Sequence, residues 1–164
     1  MSLKRRLAVL LASLAAALAW PAAAQDIPGR VGRLAWTEGQ VALYQDPDRG
    51  WDEAYLNSPV TSRNSVWTEP GARAEVQVGP IALRLDSASQ LDVSRLDDTT
   101  LDATLEQGEM AVRVRHFRSG NVVRLSTPQA SFLLQGVGRY RLESMVNNID
   151  NSQNRQQSST KLRY

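Results

Sequence analysis

Gly71-Ala-Arg-Ala-Glu-Val-Gln-Val78, Ile81-Ala-Leu-Arg-Leu85, Gln90-Leu-Asp-Val93, Thr100-Leu-Asp-Ala-Thr-Leu105 and Glu109-Met-Ala-Val-Arg-Val-Arg115 follow one another with only short breaks between them. Small or apolar residues take every second position (Ala72, Ala74, Val76, Val78, then Ile81, Leu83, Leu85), and charged or polar residues fill the gaps. Side chains along a strand alternate between faces, so each segment has one dry and one wet face. Gly79-Pro80, Asp86-Ser87, Asp97-Asp98, Gln107-Gly108 and Ser119-Gly120 supply the turns. Strands spaced about 8–12 residues apart with such breaks predict an all-β fold, a β-sandwich or β-roll of short antiparallel or solenoid-like strands. The same parity places Val76, Val78, Leu83, Leu85, Leu105, Val112 and Val114 in the interior.

Upstream of this run, Arg33 to Thr37 and Gln40 to Tyr44 read as a strand pair joined at Glu38-Gly39. Gln45 to Gly50 is a loop, Trp51 to Asn57 follows, and Pro59 to Asn64 reads as a turn before a short strand, Ser65 to Thr68. Glu69-Pro70-Gly71 is a turn of the Pro-Gly type. Downstream, Val122 to Ser126 and Ala130 to Leu134 are strands separated at Thr127-Pro128, and Arg139 to Glu143 is the last. The residues then turn polar. The β domain is expected over 30–143 and a disordered polar tail over 144–164, rich in Asn, Gln and Ser. No helix is expected after the N-terminal segment; four asparagines spoil the one candidate, Met145 to Arg155.

The N-terminus pairs Lys4-Arg5-Arg6 with an apolar run, Leu7 to Trp20, and Ala22-Ala23-Ala24. That is the pattern of a secretory signal peptide over 1–24, cut between Ala24 and Gln25. The run is shorter than the roughly 20 apolar residues a spanning helix needs, so no stable membrane span is expected after cleavage. Localisation is then periplasmic or secreted. Of 19 basic residues three leave with the signal, so 16 face 17 acidic ones and the formal charge falls to −1. No nucleic-acid partner is expected from that balance. All the remaining basic residues except Lys161 are arginines, which suit the wet face of a sheet by pairing with carboxylates. With no cysteine, disulfides contribute nothing.

Catalysis needs a constellation, and none is visible. His116 is the only histidine, there is no thiol, and no Gly-x-Ser-x-Gly elbow occurs. No catalytic, cofactor or metal residue is therefore assigned. Asp92, Asp97, Asp98 and Asp102 form the densest carboxylate patch, without the loop pattern of a calcium site. Trp36, Trp51 and Trp67 could form a stacking face, but Trp36 and Trp67 in short strands favour packing.

From about Arg30 to Glu143 the chain resembles a FecR-type periplasmic domain. The residues that carry the resemblance are Glu38-Gly39-Gln40-Val41, Trp51, the stretch ending at Trp67-Thr68, Gly71-Ala-Arg73-Ala74, Leu105-Glu-Gln-Gly108, Thr127-Pro128 and Gly136. Two departures stand out: Arg63-Asn64-Ser65 where that pattern has Gly-Asp, and Gly136-Val137 where it has Gly-Thr. Membrane-bound FecR regulators also carry an anti-sigma segment and a transmembrane helix ahead of this domain; a cleaved signal stands there instead. The resemblance implies a non-catalytic exported module that binds another cell-envelope protein as a scaffold or signalling accessory. The alternative is a glycan-binding or hydrolytic domain built on the tryptophans with Asp97, Asp98 or Asp102, and it requires those residues to share one pocket.

Overall fold

A computed structural model describes residues 29–145 and 160–163. The segment 1–24, the cleavage point at Ala24 and Gln25, and most of the polar tail lie outside the described residues. Thirteen strands form one curled, mostly antiparallel sheet, a half-barrel, with no helix among the described residues. They are β1 (Gly32–Glu38), β2 (Val41–Asp46), β3 (Gly50–Glu53), β4 (Pro59–Val60), β5 (Asn64–Thr68), β6 (Arg73–Val78), β7 (Ile81–Leu85), β8 (Gln90–Leu96), β9 (Thr100–Val114), β10 (Val122–Thr127), β11 (Ala130–Leu134), β12 (Gly138–Ser144) and β13 (Thr160–Arg163).

The organising element is β9. Its first half pairs with β8 and, in parallel, with β10; its second half pairs with β7 and β12. The sheet therefore has two limbs that share this strand. One limb runs β4-β1-β6-β7-β9-β12-β13, the other β3-β2-β5-β8-β9-β10-β11. Gln107-Gly108, expected as a turn, is instead the point where a continuous 15-residue strand passes between limbs. Gly108 there has φ +89°, a conformation that glycine adopts without steric cost.

The limbs close over a single apolar core. Val76, Val78, Leu83, Leu85, Leu105, Val112 and Val114 all lie in it, as period-2 parity required. Leu34, Leu91, Leu101 and Leu125 meet them there from both limbs. Burying that area is the main stabilising term in a chain without disulfides.

Two expectations about the ends are corrected. Pro59-Val60, read as part of a turn, is a two-residue strand on β1. Thr160 to Arg163, read as disordered tail, pairs antiparallel with β12 through Arg141↔Arg163 to Ser144↔Thr160. The edge of that limb is thus β13, because β12 offered an unpaired ladder that a distant segment could complete.

Candidate functional site

Where the strands cross between limbs, several of the residues singled out in the sequence converge. Glu38-Gly39 turns β1 into β2, and a Cβ on Gly39 would lie 2.9 Å from that of Ala72. Thr68, fully buried, donates to the Asp86 carbonyl at 2.6 Å and accepts from the Ser89 amide at 3.0 Å. The Ser89 hydroxyl accepts from the Glu109 amide at 3.0 Å, beside Gly108. The Gly71 amide donates to the Ser87 hydroxyl at 2.7 Å. Gly39, Thr68, Gly71 and Gly108 thereby serve the strand crossings, while Glu38 and Ala74 pair across β1 and β6 with Arg73 and Thr37. Thr127 and Pro128 shape the β10–β11 turn, where the Thr127 hydroxyl accepts from the Ala130 amide at 3.2 Å. The Gly136 carbonyl accepts from the Tyr140 hydroxyl at 3.1 Å. Val41 is core, while Trp51 lies half-exposed against Tyr44, ring centroids 5.7 Å apart. Arg63 takes the left-handed φ of +65°.

The aspartates do not assemble. Asp97 accepts from the Thr99 and Thr100 amides at 3.0 and 2.8 Å and from Arg95 at 2.7 Å. Those amides, then Arg95, hold its carboxyl far below the usual range. Asp102 pairs with Arg124 at 3.2 Å, and Asp92 accepts from Gln90 at 3.0 Å. No acidic or histidine cluster suited to a metal occurs among the described residues. His116 lies exposed just past the end of β9.

Because Asp97 is depressed in the folded state, its stabilisation is complete above the ordinary carboxylate range, about pH 4, and is lost as pH falls below it. Asp97→Asn is therefore expected to melt below the wild type at pH 7, with the gap closing as the pH falls through 4 towards 2. Thermal melts across that range check this; a gap independent of pH contradicts it.

A groove lies elsewhere, on the outer face of the first limb. Cross-strand register sets up the row Trp36↔Glu75↔Arg84↔Ala111↔Arg141 over β1, β6, β7, β9 and β12. A register shift between Leu34 and Trp36 turns Trp36 outward, so it is 45% exposed rather than packed as expected. The groove encloses about 520 Å³ above Ala111, with Trp36, Arg73, Glu75, Arg84, Glu109 and Arg141 around it. Its carboxylates are each held by an arginine: Asp86 by Arg73 at 2.8 Å, Glu75 by Arg84, and Glu109 by Arg141. The Arg73 hydrogen bond, then the Ser87 amide, lowers the Asp86 carboxyl below its ordinary value.

Sequence reasoning saw these arginines only as a wet face. Nothing in the local sequence marks them out: β9–β12 pairing alone brings Arg139 opposite Arg113 and Arg141 opposite Ala111. No family model, curated protein or solved structure matches the chain.

Proposed function

We propose that the chain is an exported, non-catalytic binding module that takes up a strand from another cell-envelope protein along β11. The observation that carries this is the character of the sheet's edges. β3 carries Asp52 and Glu53, β4 is two residues long and begins with Pro59, and β13 is only four residues long. These are the ordinary devices that keep edges from pairing. β11, Ala130-Ser-Phe-Leu-Leu134, has no charge and no proline, and it pairs only with β10 among the described residues. Leu133 on it is 55% exposed. Main-chain hydrogen bonds to such an edge supply affinity, and exposed side chains such as Leu133 supply selectivity. The signal-like N-terminus and the FecR-like order of motifs support the envelope setting. A glycan-cleaving reading lacks support, because Asp97, Asp98 and Asp102 line neither the groove above Ala111 nor the depression over Ala82.

A photo-crosslinking residue in place of Ser131 is expected to capture a defined envelope protein. The same probe at Asp52 on β3 is expected to capture none. Adding Leu133→Lys, a charged edge guard, abolishes the capture while shifting stability by no more than about 0.5 kcal/mol. Equal capture at 131 and 52, or capture that survives Leu133→Lys, overturns the reading.

A further inference from the structure

Beyond the groove, towards the far end of the same outer face, the charge pattern changes. The next row is Arg33↔Gln77↔Ala82↔Arg113↔Arg139, and it contains no carboxylate. Arg113 and Arg139 face each other directly across β9 and β12. Directly opposed like charges destabilise a sheet. Arg115, two residues further along the chain, has the same parity, and all three are exposed. None of them makes an ion pair among the described residues, whereas Arg73, Arg84 and Arg141 all do. A depression of about 280 Å³ lies over this cluster, with the small Ala82 among the residues that line it. The one carboxylate on its rim, Glu75, is taken by Arg84.

We propose that Arg113, Arg115 and Arg139 form a binding site for a phosphate group, as the free ion or as a monoester. The depression is at or below the lower end of the volumes that hold drug-sized ligands, roughly 300 Å³, so it suits one compact anionic group. Three guanidinium forks without counter-charge match a phosphate, at about −1.5 to −2, better than a single carboxylate. Guanidinium geometry fits phosphate oxygens in pairs, and the opposed strands pre-arrange two forks without ordering a loop. Bound phosphate also removes the Arg113–Arg139 repulsion, so the site stabilises the domain when filled. A phosphate free in solution and one presented by a lipid headgroup offer the arginines the same chemistry.

The test uses the signal-free chain with two probes, inorganic phosphate followed by calorimetry and phosphatidylcholine vesicles with or without phosphatidic acid. Binding of at least one probe is expected, and which one binds identifies the source. Arg113→Gln/Arg139→Gln is expected to weaken it about tenfold or more, the scale of one lost charge-assisted hydrogen bond. Arg124→Gln, on the other limb, is expected to stay within about twofold, a shift smaller than one such bond would produce. Without ligand the double variant is expected to melt no lower than the wild type, which separates lost binding from lost folding. Failure of both probes to bind the wild type, undiminished binding by the double variant, or an equal loss in Arg124→Gln each overturns the proposal.

Discussion

Gly108→Ala is expected to lower the stability of the domain by about 3–5 kcal/mol, a large part of the 5–15 kcal/mol typical of a single domain. Two costs combine. At φ +89° an alanine is strained, by roughly 1–3 kcal/mol. Its Cβ would also sit 2.2 Å from the Ser89 hydroxyl oxygen and 2.7 Å from the Ser89 Cα. Overpacking of that kind costs about 1–3 kcal/mol more when the neighbour cannot move. Ser89 is fully buried and tied to Thr68 and Glu109, so it cannot give way cheaply. Gly120→Ala is the control: its φ is +88° but nothing lies within 4 Å of the added carbon. Chemical denaturation of both variants separates the clash from the strain. Equal losses would mean the β9 crossing is not held against Ser89.

The second large effect is expected at Val112, which is 2% exposed in the core between the limbs. Val112→Asp removes buried apolar area and places a carboxylate where no partner exists. A loss of about 4–5 kcal/mol, at the upper end for single substitutions, is expected. Arg113→Asp, one residue on, points to the outer face and meets Arg139 directly across the sheet. It replaces a repulsive cross-strand pair with an attractive one, so it is expected to be neutral or stabilising by up to about 1 kcal/mol. Melting temperatures of the two variants check the register of β9. Equal tolerance of both would show that the register is wrong.

The sequence by itself determined the all-β class, the interior parity from Ala72 to Val114, and most strand positions; Ile81–Leu85 and Ala130–Leu134 match residue for residue. Those features are local: alternation and turn residues act within a few positions of each other. What pairs with what was not legible, because register is a contact between segments far apart in the chain. Nothing near Gln107-Gly108 says that the strand continues through it; that follows from β7 and β12 pairing on one side and β8 and β10 on the other. The outward turn of Trp36 depends on a bulge against β6, and the last strand depends on residues 160–163 returning to β12. The same holds for the arginine cluster. Arg113 and Arg139 are 26 positions apart and look like ordinary wet-face residues, each with unexceptional neighbours. Only the antiparallel pairing of β9 with β12 opposes them. Tertiary structure decided that juxtaposition because a strand's periodicity specifies which way a side chain points, and only its partner strand specifies what it faces.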